Sequence, residues 1–337
     1  MSTKTIAATA LIVTRDRVAD LTACVESLLS DPRDDLEVVV VANGATDAVQ
    51  KTLTDLGHDS RLVVVSIDAT SPSLARNVGV ARARGEIVHF LDDDVFVPLG
   101  VVSRAIDLMR ARPDIGIVGG PNLTPDDDPD FAKMAGALLG SRFGSAIARP
   151  RYARTFAGPA RESDLILCNL VIRRSLFGLG LAFPRLFGGE ENALLGQATS
   201  KRIGMWYEPS LAVFHRRRAT MGGHVEQMIR YGEGRANALR AASHTFRIAY
   251  FVPVAFGVYL LSLPIVFVVG PIGWLPLAAY LVLDSVSAIA IAIAHRRAAW
   301  ILGLFLLFPI THLAYGWGLA RRLASRRRSP FPRTIER

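Results

Sequence analysis

Short apolar runs and helix-like stretches alternate along the first third of the chain. The clearest of the helix-like stretches begins at Pro72, with Ser71 as its N-cap. The apolar runs predict strands at residues 6–14, 36–42, 61–67, 86–91 and 115–119. This alternation predicts the α/β class, with a mainly parallel sheet between helices in a three-layer arrangement. In such folds ligands bind at the carboxyl ends of the strands.

Three long apolar runs, at 248–269, 274–294 and 300–319, occupy the last third of the chain, and Asp284 is the one charged residue inside them. Each run has about 20 residues, which is enough for a helix to cross the roughly 30 Å of hydrocarbon in a bilayer. Buried core helices are the alternative, but three such runs in succession exceed the usual helix length. We therefore predict α-helical membrane segments over 247–320, two to three in number.

Composition and charge agree with a membrane-attached protein. Of the 337 residues, 50% are hydrophobic and 20% are charged, which excludes an intrinsically disordered chain. The net charge is +9, and ten arginines against two acids give +8 of it from Arg247 onward. Because these arginines flank apolar runs, they favour contact with anionic membrane lipid, and we expect no nucleic-acid partner.

The links between the apolar runs predict which side of the membrane each part of the chain faces. The uncharged link at 270–273 suits the outside, and the basic link at 295–297 suits the cytoplasm. A third crossing would put the basic tail, 321–337, outside, against the positive-inside rule, unless the third run is re-entrant or lies in the interface. The apolar run at 6–13 is too short for a signal peptide. We therefore expect a multi-pass protein of the cytoplasmic membrane whose first 246 residues stay in the cytoplasm.

A mixed segment at 221–246 joins the two parts. It interleaves apolar residues with arginines, a pattern that favours an amphipathic helix in the membrane interface. A surface helix that packs on the N-terminal domain is the alternative. The predicted organisation is an N-terminal domain over 1–220, this linker helix, the membrane segments and the basic tail.

Asp92, Asp93 and Asp94 directly follow the apolar strand at 87–91. Three adjacent acids repel one another and need a cation or strong hydrogen-bond donors. Asp92 and Asp94 point the same way if the strand continues, so a hard divalent ion that also takes phosphate oxygens would fit. The second acid run, 126–128, lies in a loop flanked by prolines, and we interpret it as solvated.

Two further groups are candidates for the same chemistry. Glu190 and Glu191 follow two glycines and precede a predicted helix, where acids are also favoured simply by the helix dipole. His215 ends the apolar segment 211–214 and precedes Arg216, Arg217 and Arg218. This His could ligate a metal ion whose diphosphate the arginines hold. A structural His beside arginines that face anionic lipid is the alternative.

Several motifs, in order, resemble those of family 2 glycosyltransferases with the GT-A fold, over roughly residues 5–220. The matching segments are VVANGATD at 40–47, ARNVG at 75–79, ARGE at 83–86, FLDDD at 90–94, CNLVIRR at 168–174 and GEE at 189–191. They are similar to the family's VVDNGSTD, ARNxG, AxGE, FLDxD, N…RR and GED. Two departures stand out: Ala42 replaces an Asp that contacts the nucleotide base, and Glu191 replaces the usual Asp. The extra methylene of Glu191 moves its carboxylate by about 1 Å.

The resemblance implies an inverting, metal-dependent transfer from a nucleotide-sugar donor. Asp92 and Asp94, with His215, would hold Mg²⁺ or Mn²⁺. Glu191 would take the proton of the acceptor hydroxyl, and Glu190 would orient the acceptor or the donor sugar. The residues expected on the donor side are Asn43, Asp47, Arg76, Asn77, Asp92, Asp93, Arg216 and Arg217.

The resemblance and the apolar runs together predict a membrane-anchored glycosyltransferase in cell-surface glycan synthesis. Its acceptor would be lipid-linked, either polyprenyl phosphate or a polyprenyl-diphosphate glycan, and membrane lipids would be its other partners. Three other interpretations stay open. These are a processive polysaccharide synthase, a sugar-nucleotide sensor or scaffold without activity, and a metal-dependent nucleotidyl- or phosphotransferase. The pattern predicts neither the sugar nor the oligomeric state.

Overall fold

The computed structural model describes residues 5–186, 188–242 and 245–325. Its strands are β1 (Ala8–Thr14), β2 (Leu36–Asn43), β3 (Leu62–Ile67), β4 (Ile87–Asp92), β5 (Val95–Phe96), β6 (Ile115–Gly119), β7 (Asn122–Leu123), β8 (Gly158–Pro159), β9 (Leu170–Arg173), β10 (Gly204–Tyr207) and β11 (Val213–His215). Its helices are α1 (Val18–Leu29), α2 (Asp47–Leu56), α3 (Pro72–Arg82), α4 (Val101–Ala111), α5 (Asp130–Leu139), α6 (Arg142–Ser145), α7 (Ser175–Gly178), α8 (Glu190–Ser200), α9 (Met221–Ala241), α10 (Val252–Val269), α11 (Leu275–Ala294) and α12 (Trp300–Ala324).

Eight strands form one sheet in the order β3-β2-β1-β4-β9-β6-β10-β8. The pairs β3-β2, β2-β1, β1-β4 and β6-β10 are parallel, whereas β9 runs antiparallel to both of its neighbours and β8 runs antiparallel to β10. The mainly parallel sheet predicted from the sequence is therefore confirmed. A second sheet, in the order β5-β11-β7, lies beyond the end of β4.

Helices cover both faces of the large sheet. On one face Val38 and Val40 pack in a core with Leu21 of α1 and Ile106 of α4. The other face of β2 packs against Ala75 of α3. Every residue of β2 is buried, which is why the strand is a continuous apolar run rather than an alternating one. The predicted three-layer arrangement is confirmed.

Helix α3 approaches the sheet closely at Gly79. A Cβ at this position would lie 2.7 Å from Leu11 Cδ1, so only glycine allows the contact. The predicted N-cap is also confirmed, since Leu74 N donates to Ser71 Oγ at 3.3 Å. These two features fix the helix over the carboxyl ends of the strands, where Arg76 faces Asp92 and Glu190.

The helix expected in the segment 221–246 is α9, and it packs against α8 and α12. Gly232 and Gly318 let α9 and α12 approach each other, because a Cβ at either would strike the backbone of the other helix. Polar residues of α9, such as Arg235 and Asn237, are buried against protein. This packing agrees with the alternative of a helix packed on the N-terminal domain.

Within the described part of the chain, three helices are long and apolar enough to cross a membrane, over Ile248–Ile265, Pro271–Ala294 and Trp300–Ala324. The third, α12, contacts helices that precede the membrane-type segments at both ends, α5 at its start and α9 near its end. Trp300 Nε1 donates to Asp130 Oδ2 at 2.8 Å, and Arg322 Nε donates to Asn237 Oδ1 at 2.6 Å. Helix α12 also continues to residue 324, so the segment predicted as a separate tail begins inside it, and residues 326–337 lie outside the described part of the chain.

Candidate functional site

The carboxylate cluster lies where the two sheets meet. Strand β4 ends at Asp92, and a tight turn through Asp94 leads into β5. Because β11 pairs with β5, with His215 opposite Val95, the imidazole is brought against the acids. His215 Nε2 lies 2.9 Å from Asp94 Oδ1. Ligand atoms of Asp92, Asp94 and His215 all lie within 4.8 Å of one another.

Thr14, the last residue of β1, and Arg17, three residues later, contact Asp93 and Asp94. Thr14 Oγ1 donates to Asp93 Oδ2 at 2.8 Å, and Arg17 bonds Asp93 at 3.1 Å and also Asp94. Burial raises the pKa of Asp93 to about 6, although Thr14 and Arg17 both act to lower it. Burial also acts to raise the pKa of Asp94, but the attraction of His215 and Arg17 prevails and holds it below the usual range.

The donor set of this cluster fits a hard divalent cation. Two carboxylates and an imidazole are ligands that Mn²⁺ accepts readily, and Mg²⁺ would use the carboxylates with water and phosphate oxygens. The cluster opens into a cavity, which leaves room for the oxygens of a substrate diphosphate. Asp92, Asp94 and His215 could therefore hold such an ion.

Arg76 links the cluster to the second acid pair. Its Nη1 lies 2.9 Å from Glu190 Oε1 and its Nη2 lies 3.5 Å from Asp92 Oδ1. Burial raises the pKa of Glu190, and the attraction of Arg76 offsets this only in part. The guanidinium thus holds two carboxylates that come from separate motifs at one edge of the cavity.

Close packing against α9 explains why glycines precede the acid pair. Gly189 has φ +80°, and a Cβ there would strike the carbonyl of Gly234 on α9. A side chain would push α9 away from the start of α8, where Glu190 and Glu191 lie. The loop that carries both acids is therefore fixed against α9.

Glu191 is the less buried of the two acids, with its side chain 18% exposed. Asn192 Nδ2 donates to Glu191 Oε1 at 2.9 Å, and Arg151 Nη1 lies 3.8 Å from the same oxygen. The carboxylate of Glu191 therefore lies between an amide and a guanidinium group.

One cavity of about 1270 Å³ contains these groups and extends well beyond them. Asn43 and Thr70 line it at the ends of the strands, and the acid groups lie in its middle. It continues between α10, α11 and α12, where Phe256, Tyr280 and Tyr315 are among its walls. The site is therefore open to a ligand that combines a charged head and a long apolar part.

Comparison with known proteins agrees with this geometry. The profile of the family described as glycosyl transferase family 2 matches residues 9–179, half of the chain. The chain belongs to glycosyl transferase family 2. The matched region of this family 2 member contains the carboxylate cluster and Arg76, whereas Glu190, Glu191 and His215 lie after it.

Curated relatives match shorter stretches. An uncharacterized glycosyltransferase of Nostoc sp. is 28% identical over 132 residues, which are 38% of this chain and 41% of that protein. The putative glycosyltransferase EpsH of Bacillus subtilis is 27% identical over 28% of each chain. The glucosyl-dolichyl phosphate glucuronosyltransferase of Haloferax volcanii is 27% identical over 33% of this chain and 36% of that one. The family 2 chain thus spans less than half the length of these relatives.

A solved structure matches nearly the whole chain. The mannosyltransferase PcManGT from Pyrobaculum calidifontis, in complex with GDP-Man and Mn²⁺, covers 95% of this chain and 88% of its own, with a TM-score of 0.65 and 17% identity. At that identity the likeness concerns the fold. The family 2 member therefore has the expected GT-A-like fold, followed by helices that could span a membrane.

The residues expected on the donor side separate into two groups. Asn43 lines the cavity and exchanges two hydrogen bonds with the backbone of Thr70, at 2.8 and 2.9 Å. Asp47 is exposed on the first turn of α2 and does not line the cavity. Asn77 bonds both backbone groups of Phe183, at 2.9 and 3.1 Å, and its side chain thereby fixes the loop before α8. Asn77 also lies outside the cavity lining.

Arg216 and Arg217 face away from the cluster. Arg216 pairs with Asp127 at 2.7 Å and with Asp128 at 2.9 Å. Arg217 donates to the carbonyl and side-chain oxygens of Asn122, at 2.6 and 2.8 Å. Their guanidinium groups are thus committed elsewhere, and Arg218 is the one of the three that lines the cavity. Successive side chains at the end of a strand point to opposite sides. The sequence pattern alone does not show which of these arginines points toward the cavity.

The acid run at 126–128 is not uniformly solvated, contrary to the interpretation from the sequence. Asp128 is 3% exposed, and it accepts hydrogen bonds from Arg216 and from the backbone of Arg217. It fixes the chain that follows His215. A Pro-rich context indicates a loop but does not show whether the loop folds back onto the protein.

The sequence interpretation missed Arg17, Arg151 and Arg235. Arg17 follows β1, and the rule that sites form at the carboxyl ends of strands could have found it. Arg151 lies in a 3₁₀ turn after α6, and Arg235 lies in the middle of α9. Neither has a local pattern that distinguishes it from a surface arginine, although both are buried.

Proposed function

We propose that this protein is a membrane-anchored, inverting glycosyltransferase that moves a sugar from a nucleotide-sugar donor to a lipid-linked acceptor. The acceptor is a polyprenyl phosphate or a polyprenyl-diphosphate glycan. The donor lies over the strand ends, near Asn43, Arg76 and Asp92. The reaction takes place on the cytoplasmic side of the cytoplasmic membrane.

The observation that carries this proposal is the continuity of the cavity. The same space that contains Asp92, Glu190 and Glu191 reaches Phe256 of α10, Leu283 of α11 and other apolar side chains of the membrane-type helices. A water-soluble acceptor would have no use for an apolar extension of this kind. A polyprenyl chain would lie in that extension, and its head group would reach the acids.

Arginines in the cavity wall favour a phosphate on the acceptor. Among the residues that the structure describes, Arg15, Arg142 and Arg218 line the cavity and have no carboxylate within ion-pair distance. The other arginines of the lining do have one: Arg17, Arg76, Arg151, Arg230 and Arg235. Arg142 precedes Phe143, whose ring packs on aromatic side chains of α11 and α12. Free guanidinium groups between the acid cluster and the apolar walls suit a lipid phosphate or diphosphate.

Each residue then has a distinct part in an inverting displacement. The acceptor oxygen attacks C1 of the sugar while the bond from C1 to the nucleoside diphosphate breaks. With a glycan acceptor, Glu191 takes the proton of the attacking hydroxyl, a role that typically contributes 10²–10⁴-fold to the rate. A polyprenyl phosphate attacks through an ionised phosphate oxygen and needs no such base. Glu190, held by Arg76, orients a sugar hydroxyl. Asp92, Asp94 and His215 would hold a divalent cation, whose positive charge would neutralise the leaving diphosphate.

The packing of α12 favours two membrane crossings. We propose that α10 and α11 form a hairpin through the bilayer and that α12 lies in the interface, along the N-terminal domain. One end of α12 contacts that domain through Asp130, and the other contacts Asn237 of α9, which a helix ending on the far side of the bilayer would not do. The arginines at its end then stay in the cytoplasm, in accord with the positive-inside rule.

One relative is consistent with a lipid-linked acceptor, since it is by name a glucosyl-dolichyl phosphate glucuronosyltransferase. A solved structure similar in fold contains GDP-Man and Mn²⁺. On this basis we expect a nucleoside-diphosphate sugar and Mn²⁺ or Mg²⁺ to be the working pair.

The test is transfer of radiolabel. The purified full chain is incubated with labelled nucleotide sugars, Mn²⁺ or Mg²⁺, and either undecaprenyl phosphate or lipid extract, and label in the organic phase is counted. We expect label that chelator abolishes with either acceptor and that Glu191→Gln abolishes with the glycan acceptors of the extract. Label that remains in water-soluble products would contradict the lipid acceptor. Donor binding without any transfer would favour a sensor.

A further inference from the structure

Glu191 belongs to a buried polar network that continues to the first membrane-type helix. Asn192 Oδ1 accepts from Arg151 Nη2 at 2.7 Å and from Arg235 Nη2 at 2.9 Å. Arg235 Nη1 donates to Glu162 at 3.2 Å. Because both guanidinium groups fix the amide of Asn192, its Nδ2 is left to donate to Glu191.

The network ends on Tyr250, in the turn that leads into α10. Tyr250 OH donates to Glu162 Oε1 at 2.8 Å, and the guanidinium of Arg235 lies 4.0 Å from the centre of the Tyr250 ring. Arg151, Glu162, Asn192, Arg235 and Tyr250 are each at most 7% exposed. A buried chain of charged hydrogen bonds holds its members rigidly, because any broken link leaves an unpaired charge.

The network joins three parts of the chain that are far apart in sequence. Arg151 also donates to the carbonyls of Glu162 and Ser163, at 2.8 and 2.7 Å, which fixes the loop before β9. Arg235 comes from α9, the helix packed against α12. Tyr250 comes from the 3₁₀ turn directly before α10. The position of Glu191 thus depends on how the membrane-type helices dock.

We propose that Arg151 and Asn192 are positioning residues that hold the carboxylate of Glu191 in place to act as the base, and that Tyr250 makes this hold depend on the docking of α10. The proposal rests on the role given to Glu191 above. Arg151 and Asn192 touch the base, and Tyr250 acts on it only through Glu162 and Arg235. Undocking α10 removes the Tyr250 hydroxyl from Glu162, loosens Arg235 and frees the Asn192 amide to turn. Transfer is then confined to protein that is seated in the membrane.

A thiol introduced at position 191 tests, without any enzyme assay, whether Arg151 and Tyr250 act on the charge of a side chain there. The variant Glu191→Cys places a thiol beside Arg151, and the native Cys24 and Cys168 are buried, so a small alkylating reagent reports mainly on the new thiol. The pH dependence of alkylation, measured on the full chain, gives its pKa. We expect the pKa to rise by about 0.5–1 unit when Arg151→Gln is added, since the thiolate loses a cation. A smaller rise in the same direction is expected when Tyr250→Phe is added.

The control breaks a different contact between α9 and α12. Arg240 Nη2 donates to the carbonyls of Arg322 and Leu323, at 3.0 and 2.9 Å, and it does not belong to the network. We expect Arg240→Gln to leave the thiol pKa unchanged. An equal shift in this control, or none with Arg151→Gln, would overturn the proposal. If Arg151→Gln fails to fold, Tyr250→Phe, which removes a single hydroxyl and keeps the ring on Arg235, decides the question.

Kinetics give the second readout. We expect Tyr250→Phe to lower kcat about 3–10-fold and to change the KM for the donor less than twofold. We also expect the acidic limb of the pH dependence of kcat to move to higher pH. Lower activity with an unmoved acidic limb would indicate a structural role only. Full activity of Glu191→Gln would contradict the assignment of the base, and the thiol titration would still report whether the network acts at position 191.

Discussion

The guanidinium of Arg76 lies 2.9 Å from the carboxylate of Glu190, across 114 positions of sequence. The two side chains come from the starts of α3 and α8, and both are largely buried, at 12% and 11% exposure. This pair fixes α8 over the carboxyl ends of the strands. It also keeps Glu190 close to Asp92, to which the same arginine is directed at 3.5 Å.

Loss of Arg76 should therefore affect both stability and activity. In Arg76→Met a buried carboxylate loses its partner, which costs about 3–5 kcal/mol of unfolding free energy or drives Glu190 to take up a proton. We expect a lower thermal midpoint, measured by intrinsic fluorescence, and at least a tenfold lower kcat/KM.

The double variant Arg76→Met with Glu190→Gln separates these effects. It has no unpaired charge, so we expect much of the stability to return while activity stays low. Activity that returned together with stability would show that the pair has no direct part in the reaction.

Removal of one ligand should weaken binding of the metal ion. Asp94→Asn keeps the shape of the side chain but takes away a charge from the set formed with Asp92 and His215. We expect at least a tenfold weaker affinity for Mn²⁺, measured by electron paramagnetic resonance on the full chain, and a loss of transfer. Asp126→Asn, in the exposed part of the other acid run, is the matched control and should bind Mn²⁺ like the parent protein.

His89 makes the stability of the N-terminal domain depend on pH. Asn169 Nδ2 donates to the carbonyls of Pro121 and Leu211, at 3.3 and 2.6 Å, so its Oδ1 accepts from His89 Nε2 at 3.0 Å. The other ring nitrogen, Nδ1, is buried and has no partner among the described residues. Burial lowers the pKa of His89 to about 4, although the bond to Asn169 acts in the opposite direction.

The sign of the effect follows from this pKa. The unfolded chain takes up a proton on His89 near its ordinary pKa of about 6.5, whereas the folded chain does so only near pH 4. The stability that His89 provides is thus complete above that ordinary pKa and is lost progressively between there and pH 4. Between pH 8 and pH 5, we expect the free energy of unfolding of the unsubstituted protein to fall by roughly 2 kcal/mol more than that of His89→Gln. Chemical unfolding at each pH measures this difference. Equal pH dependence of the two proteins would contradict the assignment.

Accessibility of single added thiols distinguishes two crossings from three. Ile272, between α10 and α11, is 80% exposed, whereas Ala298 and Ala324 lie before α12 and at its end. We expect a membrane-impermeant maleimide to label Ile272→Cys on intact cells. Ala298→Cys and Ala324→Cys should react only after permeabilisation. Labelling of Ala324→Cys on intact cells would show that α12 crosses the bilayer.

Much of the fold follows from local patterns. Strands buried on both faces must be continuously apolar, which is why β2 and β4 were predictable from residues 36–42 and 86–91. The start of α3 was predictable because Ser71 and Pro72 act within one turn of backbone. Strand β9 runs antiparallel between β4 and β6, and no local pattern indicates that insertion. The pairing of distant strands depends on the course of the whole chain.

The sequence by itself determined that acids end a buried strand, that His215 ends another apolar segment, and that the last third suits a membrane. Each of these is a statement about neighbours along the chain, which backbone geometry fixes locally. Only the tertiary structure decided which guanidinium meets which carboxylate. It directed Arg216 to Asp128 and Arg76 to Glu190, and it buried Arg235 beside Asn192. An ion pair forms wherever two side chains meet in space, and residues with the same local pattern therefore differ in function.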